Sequence, residues 1–569
     1  MQNKAHAVRR DMTWVFLAAL IFFCIGLGAR PYLTPSEARY IEVPRQMLAT
    51  HDWLTPRING VPYFEKPPLF YWMQASVMQF LGAGEFAGRI TTAIMAALLC
   101  TITFAAGRML YGRPAGLQAA LVLATCAFGY TLSRVAMVDM PVSLFITACL
   151  ACFMAAQHTE GKRKRNFYLL MYPAAALAVL SKGLIGMVIP GLVISAWIAT
   201  TKSWRILREA RLFTGLVIFL IIAVPWHVLM MRAHPAFFDF YIVHEHFERF
   251  LTNEAKRDKP WWFFIAITLA GLLPWTFTAP HSLRGLVTWK ETPQSPFAKA
   301  TADKQVRGDT FFLLLWILLP LLFFSASHSK LAAYILPIFP PLCIAIGKYL
   351  AEAWQGQVTA QPLRRNIFFV AALFGALLAA YGVLHYIMPL PGGEDRKLAV
   401  GRDILPWMLI PLTLALIGLL HVALRRYSAK VLIMALALFG AVVGLSANYI
   451  VGDVDRASAR PLADFLKDRL KPGDMLVMYG GYFQDVPVYL NRNVSVAGYT
   501  GELEFGYAHY PETHEWMITD KEFWRRCANA KHPVYALMKN TTRDTLKMPA
   551  ACRLREVASY GRNVLLEKE

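Results

Sequence analysis

Acidic residues are scarce in this 569-residue chain: 37 Asp and Glu stand against 58 Lys and Arg, charged residues amount to only 17%, and the formal charge is +21. So little charge beside a 56% hydrophobic content excludes an ordinary soluble domain and points to the polytopic membrane class. The basic excess then belongs to loops facing anionic lipid heads. No basic stripe lies on a soluble module of recognised type, so no nucleic-acid partner is expected. The chain also lacks a GxGxxG or Walker-type loop, which leaves no signature of a nucleotide-binding fold. It has no internal repeat, and no low-complexity segment beyond the polar loop 288–308. Cysteines are few outside apolar runs. Cys24, Cys100, Cys126, Cys149, Cys152 and Cys343 read as small core fillers, and Cys149 and Cys152 are too embedded for their CxxC spacing to mean metal or redox chemistry. Only Cys527 and Cys552 fall in a polar region, so a disulfide between them is expected if that region is extracytoplasmic.

What the chain does have is hydrophobic helix. The basic start and apolar run of residues 1–29 end in Ala-Arg-Pro-Tyr rather than a small-x-small site, which reads as an uncleaved signal anchor. Hydropathy offers fourteen apolar segments. If all crossed, the Lys162–Arg165 cluster and the basic residues between Lys202 and Arg211 would lie outside, against the positive-inside tendency. Letting 69–84 lie in the interface removes the conflict: it is short, begins at two prolines, and carries Tyr71, Trp72, Gln74 and Gln79. About thirteen transmembrane helices remain, with one outer face that gathers the loop 30–89, the turn at Arg134–Asp139, Lys182, the loop 232–260, His328–Lys330 and everything after about 451. A mainly α membrane domain over 1–451 is thus followed by 452–569, where helix-like and strand-like runs alternate (MetLeuValMetTyr, ValTyrAlaLeuMet) as in a small α/β domain.

The polar exception is Thr34–Trp72, which holds Glu37, Arg39, Glu42, Arg45, Asp52, Arg57, Glu65 and Lys66 among aromatics and prolines. Lipid would not tolerate this stretch, so it sits at a membrane surface and forms or lines a site. Its runs Ser36-Glu37-Ala38-Arg39-Tyr40, Asp52-Trp53-Leu54 and Tyr63-Phe64-Glu65-Lys66-Pro67-Pro68-Leu69 resemble the first extracytoplasmic loop of membrane glycosyltransferases that use polyprenyl-phosphate sugars. The nearest resemblance is to the bacterial 4-amino-4-deoxy-L-arabinose lipid A transferases of the GT-C superfamily, which are related to the protein O-mannosyltransferases. Further matching segments lie at 134–139, 244–250 and 329–341.

The resemblance implies an inner-membrane enzyme that takes aminoarabinose from undecaprenyl phosphate, places it on a phosphate of lipid A at the periplasmic face, and so favours polymyxin resistance. Such transfer needs cations for phosphate, a polar residue near the acceptor, and a membrane-level opening for the prenyl tail. Arg39 and Lys66 are the leading phosphate ligands, because a guanidinium fork and an ammonium both compensate a departing anion; the alternative for Arg39 is a surface pair with Glu37 or Glu42. By the same resemblance Tyr40, Arg57 and Tyr63 join them, as do Lys182, Lys330 and Tyr334, although lysines and tyrosines at headgroup depth are also ordinary membrane anchors. Relatives commonly carry Asp-Glu-Ala-Arg where this chain has Ser36, which leaves Glu37 as the only acid of that pair. Glu37 and Asp139 are the catalytic candidates, Asp139 having a helix N-cap as its alternative. An ionised phosphate acceptor needs little deprotonation, so these carboxylates would position the sugar. Glu65 with His244 and His246 could make a divalent site (zinc, magnesium or manganese), but the spacing favours hydrogen-bonded interfacial polar groups, and no cofactor is required.

Two rivals stand beside this reading. One is a protein O-mannosyltransferase or other polyprenyl-phosphate sugar transferase, against which the loop has GluLysProProLeu where histidine is expected before the prolines. The other is a transporter of lipid-linked sugars, which should carry ionisable groups at mid-membrane rather than at span ends.

Overall fold

The structure is a computed structural model, and it describes the backbone of residues 2–248, 259–287, 296–382, 401–425, 427–454 and 457–569. Helix α1 (Gln2–Cys24) leads into the polar first loop, which folds as α2 (Ser36–Thr50), a two-strand hairpin of β1 (Arg57–Ile58) and β2 (Val61–Pro62), and α3 (Leu69–Leu81). Asn59 and Gly60 both have positive φ at the hairpin's tip, as a two-residue turn of this twist requires. Helix α3 has 13 residues, a length of about 20 Å against the roughly 30 Å of a bilayer core. At that length it falls short of a span.

Helix α4 (Glu85–Thr125) runs 41 residues but breaks at Gly112, whose φ of 87° is open to glycine. Its two legs double back and touch through small residues: the Cα of Gly116 lies 3.2 Å from where a Cβ on Gly107 would sit. The segments expected at 90–107 and 115–130 are therefore a tight hairpin whose backbones approach as only small residues allow. The short α5 (Ala127–Leu132), α6 (Asp139–Gln157), α7 (Gly161–Lys182) and α8 (Ile185–Thr201) follow. The helix Phe339–Trp354 packs on α4 equally closely, a Cβ at Gly347 falling 2.6 Å from the Ala119 nitrogen. The span Ala332–Trp354 is 89% buried where Leu212–Ala233 is 17% buried. The first is the centre of the bundle; the second faces lipid.

Seven helices among the described residues are long and apolar enough to cross a membrane, or eight if Phe263–Gly271 and Thr276–Arg284, bent by 108°, make one span. The shortfall from thirteen has physical causes. The α4 hairpin counts once, α1 and α7 carry clustered basic residues at their starts, and both α8 and the apolar stretch Leu409–Leu424 are shorter than the 18 residues of a span.

The tail forms a six-stranded sheet in the order β5-β4-β3-β6-β8-β7, made of β3 (Met475–Tyr479), β4 (Ser495–Ala497), β5 (Met517–Ile518), β6 (Val534–Lys539), β7 (Leu554–Tyr560) and β8 (Asn563–Lys568). The strands β5, β4, β3 and β6 are parallel, and β8 and β7 add an antiparallel edge. Alternation on β3 sends Val477 and Tyr479 into a core with Phe523 and Cys527. Leu476 and Met478 point the other way, into a core that also contains Tyr32, Ile41, Met47, Ile58, Val61 and Tyr71 of the first loop. One of the tail's two hydrophobic cores is thus shared with the first loop, and the two pack together.

Cys527 and Cys552 are bonded, with Cα atoms 5.8 Å apart and 25 residues between them. Closing that loop contributes about 3 kcal/mol by the chain-entropy estimate. Cys527→Ser should lower the unfolding free energy of the tail by about that amount, measured by thermal melting with and without reductant; equal melting of both proteins would remove this account.

Candidate functional site

The first loop and six helices converge around a cavity of about 380 Å³. Its polar wall is Lys66, Asp139, Lys182, Glu245 and the hydroxyls of Ser143, Ser327, Ser329 and Tyr334, and its remaining wall is apolar, including Ile146, Val188, Phe323 and Phe324. Charge at one end and aliphatic and aromatic surface along the rest is the lining an amphiphile with an anionic head needs.

Asp139 opens α6, but the N-cap position is Val138 and no side-chain cap bond forms. The capping alternative therefore gives way to an ion pair: the Asp139 carboxylate accepts from Lys182 Nζ, at the last residue of α7. Lys182 also lies 4.1 Å from the centre of the Tyr334 ring, a cation–π contact that fixes its direction. Lys66 follows Glu65 and precedes Pro67 and Pro68, which stiffen the backbone. Its ammonium reaches Glu245 Oε2 at 3.0 Å. Each cation is thus held by one carboxylate at the cavity wall. Lys330 is buried (6% exposed), has no ion-pair partner among the described residues, and follows the wall residue Ser329.

Behind the wall, toward the tail, lies a second set of expected residues. Tyr40 stacks on Tyr71 with ring centres 6.1 Å apart, and it feels both the charge of Asp139 and that of Arg39. Arg39 does not pair with Glu37 or Glu42. It contacts the Glu502 carboxylate, from the tail, and its guanidinium lies 6.0 Å from the Tyr63 ring centre. Burial pushes the Glu502 carboxyl up from its usual range, with Arg39 and Gln484 opposing.

Three expected residues stand elsewhere. Glu37 is fully buried; its oxygens accept from Arg30, Arg89 and the backbone N–H groups of Leu33 and Ala136. A carboxylate so completely engaged has no lone pair left for a substrate, so its catalytic assignment is corrected to a scaffold role. Arg57 pairs with Asp52 at 3.6 Å on the hairpin, away from the cavity lining, because β1 points it toward the seam where His234 bridges Thr55 and Tyr510. Burial and the Arg57 charge lower the pKa of His234, which keeps that bridge neutral. The metal expectation finds no group of three or more His, Cys, Asp or Glu able to hold an ion among the described residues. His244 stacks on Phe240, and the side chain of His246 lies outside the described residues.

Glu245, Ser143, Ser329 and Glu502 were missed from the sequence. Glu245 lies inside HisGluHisPheGlu, where the two histidines draw attention first. Glu502 sits in an unremarkable GlyGluLeuGlu run, and only the fold brings it to Arg39.

Two family descriptions match the sequence: dolichyl-phosphate-mannose-protein mannosyltransferase over residues 65–229, and the aminoarabinose transferase C-terminal domain over 462–568. An undecaprenyl phosphate-alpha-4-amino-4-deoxy-L-arabinose arabinosyl transferase of Sodalis glossinidius is 28% identical over 67% of this chain and 67% of its own. The one from Shewanella sediminis is 27% identical over 88% of both chains. Among solved structures, ArnT from Cupriavidus metallidurans bound to undecaprenyl phosphate superposes with a TM-score of 0.81 at 25% identity, covering 98% of this chain and 97% of that one. Fold and tail agree with these matches, and over nearly its whole length this chain is similar to the undecaprenyl phosphate-aminoarabinose arabinosyl transferases.

Proposed function

We propose that this protein transfers 4-amino-4-deoxy-L-arabinose from undecaprenyl phosphate to a phosphate of lipid A at the periplasmic face of the bacterial inner membrane, an activity that lowers surface charge and favours polymyxin resistance. The observation that carries the reading is the cavity itself: Lys66 and Lys182 stand at the polar end of an otherwise apolar chamber at the ends of spans α6 and α7. The prenyl chain lies along the apolar wall and the phosphate meets the ammoniums.

In the transfer, an acceptor phosphate oxygen attacks C1 of the sugar, the bond from C1 to the donor's phosphate oxygen breaks, and undecaprenyl phosphate departs with the electron pair. Negative charge therefore grows at the donor phosphate, where Lys66 and Lys182 are already placed. Because an ionised phosphate is the nucleophile, no strong base is needed, and Asp139 serves to orient Lys182 and the sugar.

The bonded Cys527–Cys552 pair supports an oxidising compartment for the tail and hence the periplasmic orientation. The mannosyltransferase description over 65–229 keeps protein O-mannosylation as the second reading; the aminoarabinose description over the tail favours the first. Purified protein incubated with lipid A and prenyl-phosphate aminoarabinose should add one aminopentose to lipid A by mass spectrometry. Transfer of mannose from prenyl phosphate to a Ser/Thr peptide, with lipid A untouched, would overturn it.

A further inference from the structure

Helix α7 ends at the cavity with Lys182, so its start, 22 residues away, lies at the opposite end of the bundle, at a distance of about 30 Å. That start carries Lys162-Arg163-Lys164-Arg165, and the connector that leaves α8 adds Lys202, Arg205, Arg208 and Arg211. Against these eight cations stand two acids, Glu160 and Glu209. The two basic segments are tied together. Glu209 contacts Lys164 on one side and Arg205 at 2.9 Å on the other. The Tyr172 hydroxyl of α7 donates to the Ala210 carbonyl at 2.9 Å, and Gly215 lies against the Tyr172 ring, where a Cβ would fall 2.0 Å from a ring carbon. Ile206 and Ala210 are buried, and positive φ at Lys202 and Arg211 turns the chain at both ends of the connector.

Glu209 engages two of the cations; the other six are exposed and form no ion pair among the described residues. Among them Trp204, Leu207 and Phe213 are 58%, 40% and 82% exposed. A membrane surface satisfies both kinds of group at once: lipid phosphates meet the guanidinium and ammonium groups, and the indole, phenyl and leucyl side chains enter the acyl boundary. A general bias toward basic loops requires neither the ties between the two segments nor apolar side chains held among the charges. We propose that this face is a binding site for an anionic phospholipid with two phosphates, one met by the start of α7 and the other by the connector, with Trp204, Leu207 and Phe213 against its acyl chains. The shared Glu209 carboxylate holds the two sets of cations side by side, as two phosphates joined by one glycerol require. The leaflet that supplies the lipid follows from the orientation under Proposed function, on which the inference rests for that point alone: it is the cytoplasmic one.

Delipidated full-length protein in detergent micelles is titrated with cardiolipin, phosphatidylglycerol or phosphatidylethanolamine, and binding is read by native mass spectrometry. Cardiolipin should bind at least about tenfold more tightly than phosphatidylglycerol, and phosphatidylethanolamine more weakly than either. Arg205→Ala/Arg208→Ala/Arg211→Ala should weaken cardiolipin binding by about 10²-fold, at about fivefold per basic residue. Arg205→Lys/Arg208→Lys/Arg211→Lys, which keeps the charge, guards against a folding defect and should stay within about fivefold of the wild type. Arg364→Ala/Arg365→Ala, in a different basic loop, should leave the affinity unchanged. The same loss per residue in that loop would mean diffuse attraction to the whole basic surface, and equal affinity for cardiolipin and phosphatidylglycerol would mean that no site for two phosphates exists; either overturns the proposal, as does a triple alanine variant that binds like the wild type. Modification of Lys202→Cys in intact cells by a reagent that does not cross the membrane would instead overturn the orientation and leave the lipid site standing.

Discussion

Lys66→Ala should lower kcat/KM by about 10²-fold or more, the scale on which one preorganised donor stabilises developing charge. The ammonium is aimed by a stiff Lys66-Pro67-Pro68 backbone and by Glu245 at 3.0 Å, so little entropy is lost when phosphate arrives. The same geometry raises a competing explanation. Glu245 is only 5% exposed at its side chain, and removing Lys66 leaves that carboxylate buried without this partner, which could distort the loop. The double variant Lys66→Ala/Glu245→Gln separates the two. If Lys66 acts on the departing phosphate, the double variant stays within about threefold of the single one. If Lys66 only neutralises Glu245, neutralising Glu245 by mutation restores the rate. Lys66→Arg should rescue in part, because a planar fork replaces a compact ammonium at the same place. A folded Lys66→Ala protein that transfers sugar at the wild-type rate would remove Lys66 from the mechanism.

The distribution of what could be read from sequence follows the range of each interaction. Helical runs, the short α3 and the alternation of the tail come from local hydrophobic pattern and charge bias, and the structure has them where the sequence puts them. Lys66, Asp139, Lys182 and Tyr334 come together as expected because each sits at the end of an apolar run, and span ends on one face must meet. Partners were harder. Arg39 has Glu37 and Glu42 within helical reach, yet Glu502 takes it, because Glu37 is already claimed by Arg30 and Arg89 and Glu42 by Arg45. Local spacing lists candidates for an ion pair; which one forms depends on desolvation at contacts between opposite ends of the chain. The same limit hid the shared core of loop and tail. Tyr71 and Met478 are each apolar-facing in their own element, but no local pattern states that they face one another.

Glu37→Gln is expected to be the most destabilising of the single changes considered, at about 3–5 kcal/mol. The residue joins three parts of the chain: Arg30 before α2, at 2.9 Å; Arg89 in α4, at 2.7 Å; and the backbone of Ala136 ahead of α6, at 3.0 Å. Arg30 and Arg89 are 3% and 0% exposed, and a third buried guanidinium, Arg134, shares Asn448 with Arg30. Replacing the carboxylate with an isosteric amide keeps the volume but takes the compensating charge from these cations. Glu37 is itself a gauge of the effect. Burial disfavours its charge, but Arg89 and Arg30 more than offset this and lower its pKa from 4.5 to about 2, equivalent to about 3 kcal/mol. Because the folded value lies below the unfolded one, this stabilisation is fully present above about pH 4.5 and is lost as pH falls toward 2. Glu37→Gln should therefore melt well below the wild type in detergent at pH 7, and the gap should narrow as the buffer is taken below pH 4.5. A Glu37→Gln protein that melts with the wild type at pH 7 would show that the knot contributes nothing, and a gap that stays constant down to pH 3 would assign the loss to something other than this carboxylate's charge.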